Sequence, residues 1–357
     1  MDCPQTEMIE KTDFFERIKN SGKRIPLSGS LEVTFRCNLR CAHCYLGDNR
    51  SGVPEQQELS KEEIFGILDQ IADAGTLWFL LTGGEPFVRP DFMDIYRYAV
   101  HKGLLVTIFT NGTLLTPKIV AELAEFPPLL VEVTLYGATQ ATYERITGIP
   151  GSYERCLRGI DLLLERGIPL KLKTIVMRWN YDEFEAIKAF TASKGVDFRY
   201  DASLVGAMTN GHGPLPLRIK PEEVIALEES NIEMQTELQA LLDRTGGKPD
   251  NHKLYKCGAG LNSFHIDPYG FLFPCILSRA QNYNLLQGKF TDGWGIFLDQ
   301  LRSQPSQPNE ICDQCNYLIL CRNCPGKSYL EKGNMYKPIE YFCQVGHLRA
   351  ARLTLNK

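Results

Sequence analysis

The chain has 357 residues, 43% hydrophobic and 23% charged, with a formal net charge of −4. That suits a globular protein with one large core or two modest ones, and without a run of Lys or Arg it gives no electrostatic case for binding nucleic acid or an anionic membrane. The longest apolar run, Leu77 to Leu81, is far too short to span a bilayer, and Met1 to Glu7 lacks a secretory pattern, so the cytoplasm is expected and its cysteines read as metal ligands rather than disulfides.

Residues 1–28 are polar and weakly patterned and form an N-terminal segment. From there short apolar runs alternate with amphipathic ones. Strands are predicted at Leu31–Phe35, Leu77–Thr82, Leu104–Thr110, Leu130–Tyr136, Leu170–Met177 and Phe198–Leu204. Several are rich in Val, Leu and Ile without strict alternation, as for strands covered on both faces. Helices are predicted at Lys61–Ala74, Pro90–Lys102, Pro117–Glu125, Ser152–Arg166 and Tyr181–Lys194. Ser60 with Glu63 reads as a capping box. Gly75, Gly103, Gly167 and Gly195 sit where left-handed helix ends want glycine.

Six such units imply an α/β fold, a parallel sheet closed into a partial (β/α)6 TIM-like barrel with its site at the strand C-termini. Gly206 to Leu217 reads as a loop and 221–244 as one linker helix opened by Pro221. The core region is 29–250. Residues 251–357 form a small cysteine-rich domain with little helical periodicity up to Gly346, so metal rather than apolar core is expected to stabilise it.

Ten of the twelve cysteines fall into two clusters. Cys37, Cys41 and Cys44 follow the first strand as C-x3-C-x2-C. Three thiolates can hold three irons of a four-iron cluster and leave the fourth iron open. A zinc site wants four ligands, usually in two pairs, and His43 lies between two of the cysteines, where its side chain should point elsewhere. Three buried structural thiols are the other alternative. Thr82-Gly83-Gly84-Glu85-Pro86 ends the second strand. Glycines there allow close backbone approach, and a carboxylate can receive a cation; alone, the run would be a simple turn.

Together, CNLRCAHC and TGGEP resemble the radical S-adenosylmethionine superfamily, a likeness covering Leu31 to about Leu204. It implies a first [4Fe-4S] cluster on Cys37, Cys41 and Cys44, with S-adenosylmethionine chelated at the open iron. Reductive cleavage of that cofactor to a 5′-deoxyadenosyl radical would start the chemistry. The resemblance places the methionine ammonium at Gly83, Gly84 and Glu85, the ribose near Thr134 and the cofactor carboxylate near Arg145. For the last two, a strand threonine and a solvated arginine are the plain alternatives.

The tail carries Cys257, Cys275, Cys312, Cys315, Cys321, Cys324 and Cys343. The two C-x2-C pairs alone suggest a zinc ribbon, but seven cysteines suit two further four-iron clusters. This part resembles the SPASM domain of peptide- and protein-modifying radical enzymes, although that family usually has three residues where this chain has Cys321-x2-Cys324. The resemblance implies a nearer auxiliary cluster on Cys257, Cys275 and Cys324 and an outer one on Cys312, Cys315, Cys321 and Cys343, so three [4Fe-4S] clusters in all. The nearer site is one thiolate short. Ser263 lies where some relatives have a cysteine, and His265 and Asp267 are candidate fillers. Cys156 reads as core and Cys3 as incidental.

The expected activity is that of an oxidoreductase that matures a ribosomally made peptide by hydrogen abstraction, giving a cross-link, thioether, oxidation, decarboxylation or epimerisation. Radical oxidation of a small metabolite or tetrapyrrole is the alternative. Formylglycine formation is disfavoured because Ile276 stands where those maturases carry an aspartate after the cysteine. Expected partners are the peptide, a separate leader-binding protein to present it, and flavodoxin or ferredoxin as low-potential donor. A non-enzymatic electron carrier or zinc scaffold would leave the open three-cysteine site unexplained.

Overall fold

The computed structural model describes residues 24–52, 57–209, 212–245, 253–308 and 310–355. Cys3, most of the 1–28 segment and the boundary near 250 lie outside them. Six strands run parallel in sequence order: β1 Ser28–Glu32, β2 Trp78–Thr82, β3 Leu105–Thr110, β4 Leu130–Thr134, β5 Leu170–Ile175 and β6 Asp197–Asp201. This is the expected partial barrel, with β1 lying three residues earlier than its apolar run suggests. The five predicted crossover helices appear at 61–73, 92–101, 117–125, 152–165 and 184–193. Ser60 and Glu63 form the reciprocal capping box. Gly75, Gly103, Gly167 and Gly195 all have positive φ.

The strands differ from expectation in their faces. They alternate. Leu31, Leu81, Ile108, Val131, Val133 and Leu172 pack into the main core with the helices. The residues between them (Ser30, Glu32, Phe109, Glu132, Lys173) face the barrel interior, where they meet one another. The lumen is therefore polar and charged, a chamber rather than a second apolar layer.

The sheet continues beyond the six units. β7, Ser263–Ile266, pairs parallel to β1, and the antiparallel β8, Phe271–Phe273, and β9, Tyr283–Asn284, follow it. Phe264, Ile266, Leu272, Phe290, Trp294 and Leu298 join the same core as the barrel. So apolar packing does hold much of this stretch, contrary to the expectation that metal alone would. The phenyl of Phe264 lies where a Cβ on Gly29 would come within 2.3 Å, so glycine at 29 is what lets β7 dock on β1. The single helix expected over 221–244 is two, Pro221–Glu229 and Ile232–Thr245. Asn231 breaks it, its Oδ1 accepting the Met234 N–H at 3.0 Å as an N-cap.

A helix not foreseen, Glu340–Leu355, closes the chain and packs on the 221–229 helix. Arg349 is buried there with its Nε 2.8 Å from Glu228 Oε2, and its Nη1 donates to the Leu320 carbonyl. Arg349→Met should destabilise the protein by about 3–5 kcal/mol, because Glu228 is left buried and unpaired. The pair Arg349→Met with Glu228→Leu should recover most of that in thermal unfolding; no recovery would mean the ion pair is not what joins the two helices.

Candidate active site

All the sequence motifs of the first region meet at the C-terminal ends of the strands. The Cys37–Cys44 loop leaves β1 and is pinned from two sides. Gly84 and Glu85 donate backbone N–H bonds to the carbonyls of Thr34 and Arg36 at 2.8 and 3.0 Å. A Cβ on Gly83 would meet the Thr34 carbonyl oxygen at 2.3 Å, and one on Gly84 the Phe35 oxygen at 2.4 Å. The glycines are thus needed for the approach of the two loops to each other. From the other side, Arg40 and Ala42 donate to the carbonyls of Thr147 and Ile146, at 2.8 and 2.9 Å. These end a helix, Gln140–Thr147, that the sequence reading missed. Its signals were present: Thr139 caps its start, and Gly148, at φ 68°, ends it.

Glu85 is fully buried and ties three strand ends together. One oxygen accepts from Thr110 Oγ1 and the other from the Asn111 N–H, both at 2.7 Å. Asn111 donates in turn to Asn38 Oδ1 at 2.9 Å, inside the cysteine loop. Burial pushes the Glu85 carboxyl up to about 7. The cation set against it is Lys173, half-buried, 3.5 Å from Glu132 and over the Phe109 ring. Arg199 shares Glu132 at 2.6 Å. Lys173 and Arg199 escaped the sequence reading because only strand pairing shows that they face inward.

Cys37, Cys41 and Cys44 all lie within electrostatic reach of the Tyr136 phenol, and Cys44 within reach of Cys37. Burial, with Glu85 and Cys44 adding to it, pushes the Cys37 thiol up to about 12. Crowded thiolates of this kind call for positive charge among them, so the donor set fits an iron–sulfur cluster. Among the described residues no three His, Cys, Asp or Glu converge on a single ion. The His43 ring is buried edge-on to Tyr136 at 4.7 Å, and burial lowers its pKa to about 4. Residues 31–191, the stretch that builds this mouth, match the Radical SAM superfamily.

Residues 31–191 carry a Radical SAM superfamily domain. The chain is 28% identical over 337 residues to the AdoMet-dependent heme synthase of Methanosarcina barkeri, covering 87% of this chain and 94% of that one. It is also 28% identical over 338 residues to the mycofactocin maturase MftC of Mycolicibacterium smegmatis, covering 89% of this chain and 81% of MftC. Among solved structures, Streptococcus suis SuiB bound to its precursor peptide SuiA shares the fold at a TM-score of 0.72 and 17% identity, over 96% of this chain and 84% of SuiB. The Radical SAM family implies S-adenosylmethionine and a four-iron cluster.

Of the residues assigned to that cofactor, Thr134 is buried at the end of β4 with its hydroxyl against Tyr136. Arg145 is exposed, its guanidinium 4.3 Å over Trp179. In the tail, the seven thiols separate into two sets. Cys275 lies in reach of Cys324 and Cys257, and Cys343 in reach of Cys321, Cys312 and Cys315. This is the partition the resemblance implies. Six of the seven, all but Cys275, line one cavity of about 900 Å³. Gly346 brings the final helix in: a Cβ there would lie 2.7 Å from Cys321 Cα, so glycine lets Cys343 close on the outer set.

The candidate fillers of the nearer set are otherwise engaged. His265 is wholly buried with Nε2 on Glu32 at 2.9 Å and Nδ1 on Ser30 at 2.8 Å. Asp267 Oδ1 accepts the N–H groups of Tyr269 and Phe271, both at 3.0 Å, and holds the β7–β8 turn. Ser263 Oγ reaches only the Gly258 carbonyl, at 3.4 Å. Glu32 also takes bonds from Tyr45, which follows Cys44, and from Arg279, four residues past Cys275, at 2.7 Å for the latter. Burial opposes its charge, but Arg279 and His265 hold the carboxyl at about 2. This network joins the first cysteine loop to the tail through the lumen.

Proposed function

We propose that this chain matures a ribosomally made peptide by radical hydrogen abstraction. The observation that carries the reading is the open side of the polar lumen. Among the described residues β6 pairs with β5 alone, and its Asp197, Arg199 and Asp201 are all exposed, so the chamber is accessible along one edge as a polymer requires. The likeness to MftC and to SuiB with its bound precursor peptide supports it. The heme synthase likeness supports tetrapyrrole oxidation as the second reading. Ile276 brings no carboxylate beside Cys275, against a formylglycine-forming role.

S-adenosylmethionine, when bound to the iron left open by Cys37, Cys41 and Cys44, supplies the 5′-deoxyadenosyl radical. The protein's part is to position and exclude. Glu85, preceded by Gly83 and Gly84, receives the methionine ammonium. We assign the ribose to Thr134 and the cofactor carboxylate to Arg145. We assign the seven tail cysteines to two auxiliary four-iron clusters, the nearer with three thiolates. A low-potential flavodoxin or ferredoxin, a leader-binding protein and a cytoplasmic setting complete the reading.

Anaerobically reconstituted protein should carry about twelve irons per chain. Its 5′-deoxyadenosine output should rise on adding a short peptide encoded beside it, with a mass change in that peptide. A rise with an iron tetrapyrrole and none with the peptide would transfer the assignment to the second reading.

A further inference from the structure

The two sets of tail thiols sit in unequal surroundings. Cys324 caps the helix Pro325–Lys332, its Sγ accepting the Lys327 N–H at 3.5 Å, and the Gly326 N–H also favours its thiolate. Gly326 is sterically required, since a Cβ there would sit 2.8 Å from the Leu277 carbonyl. That contact presses the helix start onto the loop after Cys275, where the Ser278 N–H donates to the Cys275 carbonyl at 3.1 Å.

The Lys327 side chain adds a cation. Its Nζ donates to the Arg322 carbonyl at 3.3 Å and lies 4.3 Å from the centre of the Phe342 ring. Cys324, Asp201 at the end of β6, Arg322 and Arg349 all lie within its electrostatic reach. Burial lowers its pKa, and Cys324 and Asp201 act the other way. The outer set has four thiols, with an N–H bond to Cys315 from Tyr317 at 3.4 Å, Lys256 in reach of Cys312 and Cys321, and Arg349 in reach of Cys321.

Fewer thiolates and a cation at the start of the helix that Cys324 caps both favour adding an electron to an iron–sulfur group. We propose that Lys327, with the helix start at Cys324, sets the reduction potential of the group held by Cys257, Cys275 and Cys324 above that of the group held by Cys312, Cys315, Cys321 and Cys343. The inference rests on the reading that both sets bind clusters. Lys327 is a positioning residue, acting through the Cys324 sulfur. An electron shared between the two groups then resides on the one nearer the lumen, beside Asp201 and Arg279.

The test is an anaerobic redox titration of the full reconstituted chain followed by electron paramagnetic resonance, with signals assigned through Cys275→Ala and Cys315→Ala. Lys327→Gln should raise the oxidised-to-reduced ratio of the nearer group about tenfold at fixed potential, about 59 mV for a one-electron couple. The outer group should stay put, and Lys327→Arg should match the wild type. If Lys327→Gln loses iron, Lys327→Met, which keeps the stem against Phe342, takes its place. An unmoved nearer midpoint, equal shifts in both groups or a higher outer midpoint would overturn the inference. About four irons per chain, with no signal lost in Cys275→Ala, would instead overturn the reading that the tail binds clusters, and this inference with it.

Discussion

Cys41→Ala should reduce 5′-deoxyadenosine formation to background while leaving about eight of about twelve irons in place. The effect is large because a three-thiolate site has no spare ligand: with two corners unheld, the cluster is lost or cannot present one defined open iron. The loop itself should survive. Its backbone is fixed by Arg40 and Ala42 on the end of the 140–147 helix and by Glu85 on Arg36, none of which uses the Cys41 side chain. Circular dichroism and the auxiliary-cluster signals should therefore match the wild type. Cys156, buried at 3.9 Å from the Thr134 carbonyl, is the control, since Cys156→Ala removes a core thiol and should keep cleavage. Cofactor cleavage persisting in Cys41→Ala would end the assignment of the first cluster.

Affinity for S-adenosylmethionine should rise about tenfold per pH unit below about 7 and level off above it, a dependence Glu85→Gln should abolish. The sign follows from burial. The Glu85 carboxyl is raised from 4.5 to about 7, so the free folded protein binds a proton that the unfolded chain has lost. Stability falls as pH rises between those values, by ~3 kcal/mol in all. An ammonium placed against Glu85 favours its ionised form, so below about 7 binding must release that proton. Calorimetry in buffers of different ionisation heat would count it. Glu85→Gln loses a charge-assisted hydrogen bond worth about 1.5–3 kcal/mol, hence about 10–100-fold in affinity, while Gln can still accept from Thr110 or Asn111. A flat wild-type profile would show that the ammonium is received elsewhere.

The two readings of substrate differ in how much they ask of the lumen. The charged face of β4 to β6 offers Glu132 shared between Lys173 and Arg199, and the opposite wall offers Glu32 with Arg279 and His265. Such walls hold a polar substrate by oriented charge rather than by apolar burial. They also keep the helices' apolar layer separate from the radical chemistry. No helix among the described residues is long and apolar enough to cross a membrane.

The barrel was legible from sequence because its information is local. Period-3.6 helices with Ser60 and Thr116 caps, positive-φ glycines after them, and strand runs between them each declare themselves within a few residues. The cysteine spacings are local too, since ligands of one cluster must share a tight loop. Contacts between distant segments were invisible. β7 is only four residues long and becomes a strand by pairing with β1, some 235 positions away. Lys173 and Arg199 turn inward only once the sheet assigns each strand a lumen face. The sorting of the tail thiols depends on Gly326 and Gly346, which look like any glycine until the backbone they admit is in place. What the chain alone determined was which groups are present and in which loops; folding decided which of them face each other, because a parallel sheet brings together residues that only long-range hydrogen bonding can align.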